Sequence, residues 1–164
     1  MDLSDYVRLR PYAFHTTAAT NHPRLLASQT VESARTMFAR AGLADDPRLR
    51  MRRAEHTSVD VGVHRVLVRD QRPIAPGAIA FDDGWDLARF VEHLNGFAFF
   101  WPGARERPIK YGRNHFARYE AEGEELVVLR VATQDLFDAN ADRPPSFSRC
   151  NSGSARMQGG KRVP

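Results

Sequence analysis

The order in which helical and extended patterns follow one another limits the fold of this chain more than any other feature. Alternating apolar residues predict a half-buried strand at Ser58–Val63, and apolar residues at i, i+3, i+4 and i+7 predict a helix at Asp86–Asn95. Helices come early and strands accumulate later, without the regular alternation of strand and helix that builds parallel sheets. That order is typical of an α+β protein with a mostly antiparallel sheet.

Local signals predict further elements on both sides of these two segments. Pro23 predicts the first turn of a short helix, with Leu25 and Leu26 facing inward. The aromatic run Phe97–Trp101 predicts a buried strand that ends at Pro102. The other predictions are a strand at Tyr12–Thr17, a helix from about Thr30 to Ala41, a strand at Glu125–Val131, a helix at Gln134–Asp138 capped by Thr133, a last strand at Ser146–Cys150, and a loop or tail at Asn151–Pro164.

Length and composition place the chain among globular proteins. With 164 residues, of which 42% are apolar and 27% charged, we expect one domain with a real core over 1–164. The chain has no apolar stretch of the ~20 residues that a membrane helix needs, and its start, MDLSDYVRLRP, lacks the apolar segment of a secretory signal. We therefore expect a cytoplasmic protein. The single cysteine, Cys150, can form neither an internal disulfide nor a thiolate-rich zinc site.

Standard catalytic and metal-binding motifs are missing from the sequence. It has no glycine-rich run ending in Gly-Lys-Ser/Thr, no GxGxxG, no GxSxG and no HExxH, so kinases, P-loop NTPases and Rossmann dehydrogenases have no support. The six histidines are scattered, without the compact spacing of metal ligands, and no metal site is predicted. A Ser/His/Asp triad stays open, because its members need not be close in sequence.

Arginine carries almost all of the positive charge. Lysine and arginine together number 24 against 20 acids, for a net charge of +4, and the only lysines are Lys110 and Lys161. The guanidinium group binds phosphates through two parallel hydrogen bonds and stacks on bases, so this composition permits a nucleotide or nucleic-acid partner. A compositional bias spread over a solvated surface is the alternative.

The first predicted strand carries the most suggestive polar pair. His15 and Thr17 are two residues apart, and positions i and i+2 of a strand face the same way. Their side chains can therefore present two hydrogen-bonding groups side by side, with Asn21 close behind at a helix start. The alternative is that His15 is a core histidine with satisfied hydrogen bonds and Thr17 a turn residue.

These residues also carry a family resemblance. Phe14-His15-Thr16-Thr17, followed by Asn21 and a leucine-bearing helix, resembles the opening of the DarT-type ADP-ribosyltransferases, which begin with aromatic-His-x-Thr and then Asn. The later order is similar over most of the chain: an arginine-rich connector at Arg50–Arg53, a helix leading into Phe97–Pro102, a strand at Leu126–Val131 and the segment Phe147–Ser154. The chain also looks like bacterial proteins that share the His-x-Thr opening, Arg-Asp-Gln-x-Pro at Arg69–Pro73 and Phe-Phe-Trp-Pro.

The resemblance implies an ADP-ribosyltransferase-like fold with N-terminal helices around a cleft for NAD, which is the cosubstrate. It implies that His15 and Thr17 hold the adenine-side ribose or the nicotinamide amide, and that Asn21 supports the same pocket. The resemblance also implies that one of Arg52 or Arg53 contacts the pyrophosphate and assists catalysis, a role that suits a cation.

The same resemblance implies two further contacts, one with nicotinamide and one with a nucleic-acid acceptor. An aromatic ring of the Phe99-Phe100-Trp101 run, with Phe99 and Phe100 as the candidates, would stack on the flat and positively charged nicotinamide ring. A DNA or RNA acceptor would contact the basic stretch that follows, in which Glu106 is the sole acid. The implied nucleic-acid-binding residues are Arg105, Arg107, Lys110, Arg113 and Arg118.

One departure from the family concerns the catalytic carboxylate. These transferases use a glutamate after the segment that resembles Phe147–Ser154, and this sequence has no acid beyond Asp142. Either that glutamate lies outside the 164 residues, or another acid replaces it, or the protein binds nucleotide without transferring it. We expect the chain to bind NAD more readily than it turns NAD over. A non-catalytic nucleotide- or nucleic-acid-binding module of the same fold, and an adaptor without a ligand, are the alternative functions.

Overall fold

The computed structural model describes residues 2–81, 83–143 and 145–147, and the chain divides into two compact units. Unit 1 combines residues 2–19 with Phe99–Phe147, and unit 2 is built around Thr20–Ala98. The expectation of one domain stays a prediction.

The described residues form six α-helices and six strands, and the α+β class with antiparallel pairing is confirmed. The helices are α1 (Leu3–Leu9), α2 (His22–Ser28), α3 (Ala34–Arg40), α4 (Leu87–Leu94), α5 (Lys110–Ala121) and α6 (Thr133–Asp138). The strands are β1 (Tyr12–Ala18), β2 (Thr57–Val61), β3 (His64–Val68), β4 (Trp101–Ala104), β5 (Arg107–Pro108) and β6 (Leu126–Ala132).

Unit 1 is organised around a four-stranded antiparallel sheet with the order β5-β4-β1-β6. All seven residues of β1 pair with β6, from Tyr12 opposite Ala132 to Ala18 opposite Leu126. On its other side β1 pairs with β4, and Phe14, opposite Trp101, is buried in the core. The sheet therefore holds β1, the strand that carries His15 and Thr17, between two neighbours.

Gly103 in β4 lies where two strands come unusually close. A Cβ built at this position would lie 2.6 Å from Cε2 of Phe14 and 2.8 Å from Cα of Pro108, and would also strike the carbonyl oxygen of Arg107. Such distances are far below van der Waals contact, so the pairing of β4 with β5 requires a residue without a side chain here.

Unit 2 is built around the β2–β3 hairpin, which packs against α3. The hairpin turns at Gly62, whose φ of 63° suits the first position of a tight two-residue loop. The strands alternate between core and solvent as their sequence predicts, and Phe38 of α3 is fully buried against them. The buried cluster consists of Phe38, Leu49, Val59, Val61, Val66 and Val68.

The predicted strand at Phe97–Trp101 is wrong. The strand in this region is β4, which begins at Trp101 and includes Pro102, opposite Ala13. Proline removes one hydrogen-bond donor but its φ remains compatible with an extended chain, so it does not have to end a strand. Phe97 is 37% exposed and lies outside any strand.

Several other local predictions need correction. Leu26 is 59% exposed, and α2 instead buries Arg24, whose guanidinium pairs with the buried carboxylate of Glu32. Thr133 does not cap the last helix, because its hydroxyl donates to the Arg10 carbonyl. Val63 lies in the hairpin turn and is 95% exposed.

Helix boundaries differ as well. The helix expected from about Thr30 starts at Ala34, where the Ser33 side chain caps it. Helix α1 was not expected from the sequence. In the predicted last strand Ser146–Cys150, Ser146 and Phe147 are not in a strand and residues 148–150 lie outside the described residues, as does the expected tail at Asn151–Pro164. Within the described ranges, no helix has the length and apolar character to span a membrane.

Candidate functional site

The imidazole of His15 is held in a defined orientation in unit 1. Its Nδ1 lies 2.9 Å from the carbonyl oxygen of Phe99, and its ring lies 5.4 Å from that of Phe100 at an interplanar angle of 47°. A carbonyl oxygen can only accept, so in the neutral ring Nδ1 carries the hydrogen and Nε2 is the acceptor nitrogen. The ring is half-buried. His15, Phe99 and Phe100, predicted from the sequence as site residues, therefore lie together.

Thr17 shares the face of β1 on which His15 lies, because side chains alternate along a strand. Thr17 is buried at 6% exposure, and Phe99 and Phe100 are half-buried. We call these four residues, His15, Thr17, Phe99 and Phe100, the His15 face. It combines an oriented imidazole, a hydroxyl and the Phe100 ring, and Phe99 contributes the carbonyl that orients the imidazole.

Asn21 lies in unit 2, where its side chain pairs with the backbone of β3. Its Nδ2 donates to the Leu67 carbonyl at 2.9 Å, and its Oδ1 accepts from the Leu67 N–H at 2.8 Å. Asn21 occupies the N-cap position of α2 without making a capping bond. These two bonds satisfy backbone groups of β3 as a neighbouring strand would, which gives Asn21 a structural role.

Arg53, also in unit 2, is the centre of a buried polar network. Its Nε donates to the Arg69 carbonyl at 3.1 Å and its Nη2 to Oδ1 of Asn95 at 2.9 Å, while Gln71 Nε2 donates to the same Oδ1. The pKa of Arg53 is lowered to about 10, chiefly by burial; the charge of Asp70 opposes this shift and the charge of Arg48 adds to it. The side chain therefore remains charged at neutral pH. Its contacts tie three chain segments together.

Arg52 bonds to the backbone of the loop Arg69–Pro73, next to the network around Arg53. Its Nε donates to the Gln71 carbonyl at 3.3 Å and its Nη2 to the Arg72 carbonyl at 2.9 Å. Next to these residues, Asp70 is buried and bonded to Arg72. Burial raises the pKa of Asp70, but the hydrogen bonds and charges of Arg72 and His56 outweigh burial and leave the pKa below its ordinary value. The loop thus holds an ionised carboxylate.

The five predicted nucleic-acid-binding residues are all exposed in unit 1. Arg105 lies in the two-residue turn between β4 and β5 with a φ of 56°, and Arg107 follows in β5. The carboxylate of Glu106 pairs with Arg130 at 3.2 Å, outside the predicted set. The other three residues lie on α5: Lys110, Arg113, which donates to the Pro108 carbonyl, and Arg118, which pairs with Glu122.

The predicted site residues are thus distributed over both units. Unit 1 holds the His15 face and the five exposed cations of the β4–β5 turn, β5 and α5, whereas unit 2 holds Asn21, Arg52 and Arg53. The roles given to these residues in binding NAD stay predictions.

Sequence reasoning missed two features near these residues. The first is the burial of Gln71 and Asn95, two polar residues that follow a predicted strand and end a predicted helix, respectively. Both stand beside strong turn signals, where backbone groups need hydrogen-bond partners, and this is the signal that could have identified them. The second is Tyr111, which is 68% exposed among the cations at the start of α5.

Among the described residues, no group of three or more His, Cys, Asp or Glu side chains is placed to hold a metal ion. The model of a protein family of unknown function, DUF7002, matches residues 11–164 of the chain. No curated protein and no solved structure matches it.

Proposed function

The chain belongs to the DUF7002 family, whose function is unknown, and we propose that it binds NAD through the His15 face and transfers ADP-ribose to a nucleic-acid base. The observation that carries the proposal is the orientation of His15 by the Phe99 carbonyl beside the Phe100 ring. The resemblance to the DarT-type ADP-ribosyltransferases implies an NAD-binding role for the same residues, which supports the proposal.

The chemistry of the His15 face suits the nicotinamide half of NAD. The acceptor nitrogen of a neutral imidazole matches a ribose hydroxyl or a carboxamide N–H, both of which are donors. An aromatic ring such as that of Phe100 favours the face of the cationic nicotinamide ring. A ligand that offers both a donor and a flat cation is therefore better suited to this face than a plain phosphate.

In the proposed transfer, the bond between nicotinamide and C1′ of the ribose breaks and nicotinamide leaves with the bonding electrons. A bond from C1′ to the acceptor base forms, and the proton of the acceptor passes to a carboxylate or to solvent. The resemblance assigns no described residue as that carboxylate, so we expect the protein to bind NAD more readily than it turns NAD over. Arg52 and Arg53 carry internal hydrogen bonds in unit 2, and the proposal does not rest on them.

Binding of NAD tests the His15 face directly. We expect His15→Ala to weaken NAD binding at least about tenfold in calorimetry, because it removes the oriented acceptor nitrogen. His15→Asn can still donate to the Phe99 carbonyl, so it should keep the fold while remaining weak for NAD. His64→Ala, a half-buried histidine of unit 2, is the control and should bind as the unmodified protein does. Normal affinity in His15→Asn, or no NAD binding by the unmodified protein, would contradict the proposal.

The acceptor is identified by incubating the full chain with labelled NAD and separate pools of DNA, RNA and protein. We expect slow labelling of a nucleic-acid pool. Label confined to the protein pool would exclude a base as acceptor. NAD binding without label in any pool would favour a non-catalytic nucleotide-binding module.

The exposed cations of unit 1 support the nucleic-acid part of the proposal. If they contact phosphates, the binding constant falls with salt at a log–log slope of about −0.7 to −0.9 for each contact. We expect Arg107→Gln with Lys110→Gln to flatten that slope by about 1.5, as measured by fluorescence anisotropy at several salt concentrations. Arg65→Gln, an exposed arginine of unit 2, should leave it unchanged. Binding that does not respond to salt would make this stretch a solvated surface.

A further inference from the structure

Strand β6 of unit 1 has an outer edge that no described strand covers. It stands at the end of the order β5-β4-β1-β6 and pairs with β1 along its other edge. Val128 and Arg130 stand on either side of the central residue Leu129; Val128 is 46% exposed, and Arg130 is also exposed.

The backbone groups on this outer edge can be assigned from the bonds at the two ends of the strand. Ala19 N–H donates to the Glu125 carbonyl, and Thr133 N–H donates to the Pro11 carbonyl, each at 2.9 Å. Backbone groups of successive residues point to opposite edges of a strand. The odd-numbered residues of β6 therefore bond to β1, and the groups of four residues point outward: Leu126, Val128, Arg130 and Ala132.

The two edge strands of the sheet, β5 and β6, differ in length and in sequence. At one end, β5 has two residues and finishes in Pro108, which cannot donate a hydrogen bond. At the other end, β6 is seven residues long, LVVLRVA, with neither proline, glycine nor lysine to discourage pairing. Soluble proteins rarely leave such an edge open, so a partner strand is expected at β6.

We propose that β6 pairs with β6 of a second copy of this chain, antiparallel and about a two-fold axis at Leu129. In this register Val128 lies opposite Arg130 of the partner subunit, and Leu126 opposite the partner's Ala132. Outward-pointing groups then meet outward-pointing groups over the whole strand, as an antiparallel ladder requires. The strand is self-complementary in charge as well, because its single charge, Arg130, does not face its own copy.

This interface is independent of the proposed function and has a consequence for it. Leu129 lies opposite His15 in the sheet, and residues opposite each other in an antiparallel pair share a face. Pairing at Leu129 therefore places the two His15 faces of the dimer on the same side of one continuous sheet.

A charge-swap experiment on the full chain tests the register. The unmodified protein should show a concentration-dependent dimer in sedimentation equilibrium. Val128→Lys places a lysine opposite Arg130 of the partner subunit at two symmetric positions, and should weaken the dimer at least about tenfold. Adding Arg130→Glu together with Glu106→Gln, which removes the carboxylate that pairs with Arg130, converts both positions into opposite-charge pairs and should restore the dimer. Val63→Lys, at the exposed hairpin turn of unit 2, is the matched control and should leave the dimer unchanged.

Two further measurements keep the proposal falsifiable. Circular dichroism confirms that the variants remain folded, and hydrogen exchange reports on the outward N–H groups of Val128 and Arg130. A protein that is monomeric at every concentration overturns the proposal, and protected outward groups in that monomer would show that another part of the same chain covers the edge. A dimer that Val128→Lys does not weaken overturns it also.

Discussion

Gly103→Ala is expected to destabilise unit 1 by about 3 kcal/mol or more. The added methyl would overlap the Arg107 carbonyl and come within 2.6 Å of the Phe14 ring. Arg107 and Pro108 are backbone neighbours across a strand pair and cannot rotate away as a surface side chain would. The clash can be relieved only by separating β5 from β4 or displacing Phe14 from the core. The smaller unfolded-state entropy of alanine offsets only about 0.4–1 kcal/mol of this cost.

The measurement can follow each unit separately, because the two tryptophans lie in different units: Trp101 in unit 1 and Trp85 in unit 2. Fluorotryptophan labelling gives one resonance for each, and the urea midpoint of the Trp101 resonance should fall in Gly103→Ala. Gly77→Ala is the control, because a Cβ at Gly77 meets nothing within 4 Å. Equal midpoints in the two variants would mean that β4 and β5 do not approach as closely as described.

Arg53→Met is expected to destabilise unit 2 by about 3 kcal/mol or more. Methionine keeps most of the volume but removes the donors to the Arg69 carbonyl and to Oδ1 of Asn95. Asn95 is 2% exposed, so its Oδ1, although it keeps the Gln71 donor, cannot replace the lost Arg53 bond from bulk water without opening the structure. The Trp85 resonance should lose its folded signal at a lower urea concentration.

Arg65→Met is the matched control for this variant. Arg65 is exposed on β3, and its replacement should change stability by less than about 0.5 kcal/mol. The pair of variants also distinguishes two roles of Arg53. Unchanged stability together with lost NAD affinity would support a direct contact with the pyrophosphate, whereas lowered stability with normal NAD affinity of the folded protein is what the buried network predicts.

The elements with strong local signals could be predicted from the sequence. The hairpin of unit 2 followed from alternating valines, and α4 from its apolar spacing and from Asp86, whose side chain accepts from Arg89 N–H at the helix start. Strand β1 was predicted because aromatic and β-branched residues follow Pro11. In each case a few neighbouring residues carry the whole signal.

Elements that depend on distant contacts could not be predicted in this way. Trp101–Ala104 becomes a strand because it pairs with β1, almost ninety residues away, and no local pattern marks that partner. Helix α1 buries none of its residues, so it lacks the apolar periodicity that identifies a helix. At the candidate site, strand alternation anticipated that His15 and Thr17 share a face, but the bond to the Phe99 carbonyl depends on tertiary packing.

The pairing of β1 with β6 also sets the order in which the protein can fold during synthesis. Tyr12 pairs with Ala132, so the β1–β6 ladder of unit 1 can be completed only after about 120 further residues have been synthesised. Thr20–Ala98 of unit 2, whose hairpin joins neighbouring strands, emerges from the ribosome as one continuous piece in that interval. Since short loops close with less entropy than long ones, unit 2 is expected to acquire its core first. Until the chain reaches Leu126, β1 and its His15 have no β6 to pair with, so this nascent strand keeps an unpaired edge during synthesis.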